Sequence, residues 1–271
     1  MKRSIFLPGL FIFALIVASL LIPGLSPYSE DIRGAVHFEE SNLSPSFSHY
    51  FGTDAAGRDI FTLTVRAALT SLGIGFGVVI LAMFIGTPLG LIAGMKGKWI
   101  DEIIMRIVDG FLAFPPLVLP LIITSALGPS INNIVIGIAI SWFPWYVRIA
   151  RSQAIVLKNQ DYVLASRSFG GSSTHIILKH ILPNSLPPII VQASIDAGYA
   201  ILVAAGLSFI GLGAHPPQVE WGLMITQARA HFLDQWWTVT FPGLFIFMTV
   251  ISFNLIGDGL RETLNLNNRE E

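Results

Sequence analysis

The sequence predicts an all-α fold, a polytopic membrane helical bundle of six transmembrane helices, on three observations. Hydrophobic residues make up 53% of the chain and charged residues 12%, with a mean hydropathy of +0.68, a balance that no water-soluble surface covers. Long apolar runs recur along 271 residues, enough for about six crossings of ~20 residues through a ~30 Å hydrocarbon layer. Polar stretches rich in Gly, Pro and charge separate those runs, as loops between spans do.

Composition also excludes functions. A net charge of -1 leaves no basic face to neutralise phosphates, so nucleic acid is not an expected partner. Absence of cysteine removes disulfides, thiolate metal sites and cysteine nucleophiles together. No G-x-x-x-x-G-K-[ST] occurs, so ATP hydrolysis is not expected in this chain. The six histidines form no i,i+4 pair and no HExxH pattern, and no G-x-S-x-G elbow is present, so neither a metal site nor an enzyme is predicted.

In chain order, residues 1–25 read as a retained first span, because the apolar run of about twenty residues suits a crossing better than a signal core. Lys2 and Arg3 then lie in the cytoplasm. Residues 26–69 carry six acids (Glu30, Asp31, Glu39, Glu40, Asp54, Asp59) and belong outside the membrane. Their last part, His49 to Leu72, passes from a Gly/Asp turn region into an amphipathic approach. Asp54, Arg58 and Asp59 read as a hydrogen-bonded turn anchoring this segment, with a substrate or receptor contact as the alternative.

Residues 70–260 form the transmembrane core. The second span, Thr70–Gly94, carries Gly73, Gly77, Gly86, Gly90 and Gly94 at spacings that let another helix approach closely in lipid. Lys96 and Lys98 mark the cytoplasmic side, and a third span, Ile103–Leu127, is interrupted by Pro115-Pro116 and is expected to face the bundle interior. Near its cytoplasmic end Asp109 is expected to pair with Arg106, three residues earlier on the same face. The fourth span, Ile131–Val147, ends in Trp142, Pro144, Trp145 and Tyr146, read as an interfacial anchor before Arg148 and Arg151.

A polar island follows, Asp161 to Pro183, in which Asp161–Phe169 can form two helical turns ended by Gly170-Gly171. The fifth span, Ile189–Leu212, holds Asp196, an acid that at such depth faces a cavity or a partner. An outer loop, Gly213–Trp237, contains His215, His231 and an amphipathic stretch. The sixth span, Thr240–Ile256, ends in GDGLRETL and leads to a cytoplasmic tail, residues 261–271, whose last part, NLNNREE, is polar and mobile. Only Arg33, Arg58, Arg66 and Arg229 of the sixteen Lys and Arg fall outside. Both termini and the 161–183 loop are therefore predicted to be cytoplasmic, on the side where ATP is.

The spacing of Ala165, Gly170 and Leu182-Pro183 resembles the EAA loop of ABC-importer permeases, whose short coupling helix sits in a cleft on an ATPase subunit. Leu164 stands where that pattern often has Glu, Ser166 where it has the second Ala, and His180 where it has Ile. Three separated motifs, FGTDAAGRDIF (Phe51–Phe61), LSFIGLGAHPPQVEWGLMI (Leu207–Ile225) and FPGLFIFMTVISFNLIGDGLRETL (Phe241–Leu264), resemble the dipeptide/oligopeptide/nickel permease family in its second-subunit branch. The resemblance covers about Phe51 to Leu264.

It implies a type I ABC-importer permease of the cell membrane, forming half of a pathway by alternating access. Its implied partners are a homologous permease, two cytoplasmic ATPases that hold ATP and Mg, and an extracytoplasmic binding protein; no cofactor is implied in this chain. Asp161, Leu164, Ala165, Ser166, Gly170 and Pro183 would couple to the ATPase, with Asp109, Pro115 and Asp196 as possible lining of the route. Di- or oligopeptides are the expected substrate, with a nickel or metal chelate as alternative, then an oligosaccharide. Asp196 alone would fit an ion-coupled carrier.

Overall fold

The computed structural model describes residues 3–267, and the long elements among them are all helical. In order they are α1 (Arg3–Leu25), α2 (Ile60–Lys96), α3 (Lys98–Leu112), α4 (Val118–Leu127), α5 (Ile131–Leu157), α6 (Asp161–Ser168), α7 (Ser173–Ile176), α8 (Leu182–Phe209), α9 (Trp221–Ala228) and α10 (Trp237–Asn267). A single π-turn, Ile177–Ile181, joins α7 to α8 without a break. Among the described residues, five segments are long and apolar enough to cross a membrane: Ile5–Leu25, Ile60–Lys96, Ile131–Leu157, Ser173–Phe209 and Trp237–Leu264. Val118–Leu127 is a shorter apolar helix.

That shorter helix belongs to the expected third span. Pro115 and Pro116 offer no N–H, so α3 stops at Leu112 and the chain turns until Val118 N donates to the Pro115 carbonyl at 3.0 Å. The second span starts ten residues earlier than expected. Asp59 caps α2 by accepting from Thr62 N at 2.8 Å, which makes the amphipathic approach the first turns of the same helix.

α2 is the central helix, and its glycines set how close α5 comes. A Cβ on Gly86 would lie 2.4 Å from the Phe143 carbonyl oxygen, on Gly90 2.3 Å from that of Val147, and on Gly94 2.7 Å from that of Arg151. The seam is therefore backbone against backbone, the arrangement small residues permit in lipid. α5 itself runs ten residues past the expected Val147, to Leu157. Because Trp142 and Tyr146 face α8, they are buried in the bundle and do not anchor an interface; Trp145 alone of the three is exposed, with the Arg148 guanidinium 6.0 Å from its ring.

Residues 26–59 fold as a cap on the end of the bundle opposite the 161–183 loop. Phe51 stacks on Phe241 of α10 at 3.9 Å between centroids, and the Trp237 indole donates to the Thr53 carbonyl at 3.2 Å. Helix α10 continues beyond the expected Ile256 to Asn267. Met1 and Lys2, placed in the cytoplasm by the sequence, and residues 268–271 of the expected mobile tail lie outside the described residues.

Candidate functional site

Helix α6 is the least buried element of the bundle's loop end. Asp161, Leu164, Ala165 and Ser168 follow one another at i, i+3, i+4 and i+7, so they share one exposed face, while Val163 on the opposite side is fully buried. Phe169, just past the helix, is 92% exposed. The helix ends in a Schellman motif: Gly171 N donates to the Ser166 carbonyl at 2.9 Å and Gly170 N to that of Arg167 at 3.0 Å. Gly170 has φ +84°, which L side chains rarely adopt, and a Cβ on Gly171 would lie 2.7 Å from the Ser166 oxygen.

Beyond this turn the chain is one rod from Ser173 to Phe209. Pro183, Pro187 and Pro188 would leave carbonyls unpaired at its base. The π-turn widens the helix just before Pro183, and side chains cover two nearby carbonyls, with Asn184 Nδ2 donating to His180 O and Ser185 Oγ to Ile181 O, both at 2.7 Å. Pro183 therefore lies in the rod, apart from the exposed face of α6.

Polar links brace α5 near the same end. Arg151 forks over Asp101 of α3, with Nη2 at 2.7 Å, and Lys158 Nζ donates to the Gly94 carbonyl at 2.8 Å, sealing the end of α2. Asp109 pairs with Arg148 of α5 at 2.7 Å, and Arg106 with Glu102 at 2.9 Å. The expected Arg106–Asp109 pair is thus replaced: Glu102 lies one turn from Arg106, and α5 brings a second guanidinium to Asp109. Deeper in the bundle, Asp196 accepts from Tyr146 Oη and from Gln192 Nε2, each at 2.8 Å. Asp109, Pro115 and Asp196 do not form one cluster: Asp196 faces α5, whereas Pro115 marks the gap between α3 and α4.

At the cap, Asp54 accepts from Ala56 N and Arg58 N and holds the Arg58 guanidinium at 2.6 Å, while Asp59 caps α2, as a hydrogen-bonded turn requires. Arg58 also reaches Gln227 of α9 at 3.4 Å across a cleft of about 340 Å³ whose rim includes His231 and Gln235. Sequence reasoning missed the pairing beneath. His49 Nδ1 and Asp59 Oδ1 lie 3.0 Å apart, both residues buried, and Asp31 Oδ2 accepts from Asp59 N at 2.7 Å. Burial pushes the Asp31 carboxyl above its ordinary range, against the pull of the Asp59 N–H and His37. Among the described residues no group of three or more His, Cys, Asp or Glu could hold a metal ion.

Residues 86–269 match the family described as binding-protein-dependent transport system inner membrane component. The chain belongs to that family. It is 47% identical to the probable D,D-dipeptide transport system permease protein DdpC of Escherichia coli K12, over 93% of this chain and 85% of that one. Identity to the dipeptide transport system permease protein DppC of Alkalihalophilus pseudofirmus is 45%, over 97% and 86%. For the glutathione transport system permease protein GsiD of Pectobacterium atrosepticum it is 40%, over 95% and 85%. The fold resembles a chain of the inward-facing MetNI methionine ABC transporter, with TM-score 0.60 and 18% identity over 75% of this chain and 97% of that one.

The permease is a multi-pass membrane component of a binding-protein-dependent transport system, a transport subunit and not an enzyme. The face of α6 was legible from the Asp161–Gly171 pattern. The links from α5 to α2, α3 and α8 were not, since their partners stand 39 to 64 residues apart.

Proposed function

We propose that this permease passes short peptides inward as half of a two-permease pathway, driven by two cytoplasmic ATPases that bind ATP and Mg and fed by an extracytoplasmic binding protein. Peptide is the favoured cargo because relatives at 40–47% identity are named for dipeptides and glutathione. Both termini lie in the cytoplasm in this reading, so that α6 meets the ATPase. The observation that carries it is the shape of α6: one buried residue, Val163, and an exposed face of Asp161, Leu164, Ala165 and Ser168 held between two long membrane helices. ATPase closure pressing on this face rocks the bundle between two states, which is alternating access. Asp109 and the Pro115 gap are the proposed lining of the route; Asp196, with both oxygens occupied, is left out of it.

The test uses the assembled importer with its binding protein in lipid nanodiscs. Ala165→Asp places an extra charge on the contact face and Gly170→Val forces a β-branched residue to φ +84°. The expected result is a fall of about tenfold or more in substrate-stimulated ATP hydrolysis for both, about 1.4 kcal/mol of lost coupling. Unchanged stimulation in an intact complex overturns the assignment.

A further inference from the structure

We propose that the Tyr146–Asp196 hydrogen bond is a positioning tie that makes α5 and α8 move as one frame when α6 is pushed. The idea rests on the coupling reading of α6. Helix α6 hangs between α5 and the α7–α8 rod, and the Gly170-Gly171 turn on one side of it is a place where displacement can be absorbed. Helix α2 packs on both long helices, and a direct fastening between them above the loop adds a second link that keeps them in step.

Two side-chain contacts of the α5–α8 seam lie on matching faces. Tyr146 Oη donates to Asp196 Oδ2 at 2.8 Å, and one turn earlier on α5 the ring of Trp142 stacks on Tyr199 at 5.4 Å with 6° between planes. Trp142 and Tyr146 are i and i+4 on α5, and Asp196 and Tyr199 are i and i+3 on α8, so both helices present their contact residues on one stripe. Tyr146 is fully buried, and Gln192, a turn below Asp196 on the same helix, occupies the other carboxylate oxygen and orients the acid toward α5. By the rise per residue, this tie stands roughly 15 Å above the loop end of α5 and about 20 Å above Leu182 in the rod. Loop below and tie above close α5, α6 and the α7–α8 rod into a frame.

An acid so placed is expensive in a membrane helix, and a plain packing contact would not need one. A carboxylate is suited to the task because it takes two donors at once, one from its own helix and one from the neighbour. Asparagine can do the same: its oxygen accepts from Tyr146, and Gln192, with its amide turned over, accepts from the asparagine N–H.

The experiment compares Tyr146→Phe, Asp196→Leu, Asp196→Asn and Ala165→Asp in the assembled importer in proteoliposomes, reading peptide delivered per ATP hydrolysed alongside maximal ATPase rate and subunit stoichiometry. Tyr146→Phe and Asp196→Leu should lower peptide delivered per ATP roughly three- to tenfold, the span given by losing one interhelical hydrogen bond in a membrane. Asp196→Asn should restore most of that ratio, and Tyr146→Phe combined with Asp196→Leu in one chain should be no worse than Asp196→Leu alone. An unchanged ratio in Tyr146→Phe, an Asp196→Asn as poor as Asp196→Leu, or a Tyr146→Phe chain that fails to assemble each overturns the tie. If Ala165→Asp uncouples while Tyr146→Phe does not, the tie fails and the coupling role of α6 stands. If Ala165→Asp has no effect, the coupling reading itself fails.

Discussion

Asp31 is the residue at which chemistry outside the membrane bears on the fold. Its carboxyl is 1% exposed, and burial raises its pKa above the ordinary value of 3.8. A raised folded-state pKa means that the folded chain holds the proton more tightly than the unfolded one. The stabilisation is full below 3.8 and is lost as pH rises through the folded value. Melting curves of the assembled complex should therefore show wild type gaining on Asp31→Asn as pH is lowered from 7 toward 4. A difference that stays flat, or that grows with pH, contradicts this account. Asp59 was readable as a cap because an acid stands just before an apolar run. Its grip by Asp31 and His49 was not, since contacts made across 28 and 10 residues leave no period in the sequence.

At the scale of elements, the α2–α5 seam is the most demanding contact. Gly90 faces the Val147 carbonyl with no room for a methyl group, so Gly90→Ala must spread two backbones; overpacking of this kind costs about 1–3 kcal/mol. The complex should melt several degrees lower, and restoring glycine should recover it; an unchanged melting temperature would show that the helices separate freely. The glycine spacing announced such a seam before any coordinates. Which helix filled it was silent, because Ala150 and Ala154 on α5 are ordinary helix formers whose smallness has meaning only opposite Gly90 and Gly94. The Pro115-Pro116 break was legible for a related reason: missing donors act locally, whatever packs alongside. Asp109 was misassigned because its nearest charge in sequence is Arg106, while its nearest in space is Arg148.

For the whole molecule, sidedness decides the reading, and the absence of cysteine makes it measurable. Phe47 in the cap is 99% exposed and Phe169 beside α6 is 92% exposed, at opposite ends of the bundle. Single cysteines there, treated with a membrane-impermeant maleimide on intact cells, should label at 47 at once and at 169 only after permeabilisation. The reverse pattern would put α6 on the wrong side for an ATPase. Helix α2, which links those two ends, has 37 residues, roughly 55 Å of rise, where a hydrocarbon layer is about 30 Å thick. Held backbone to backbone on α5, a rod with that much surplus still spans a thicker bilayer without changing its packing. Helix α4, with 10 residues and roughly 15 Å, has no such reserve. Acyl-chain length is therefore felt unevenly by this chain: α2 has length to spare at any thickness, and mismatch with the surrounding lipid gathers beside α4.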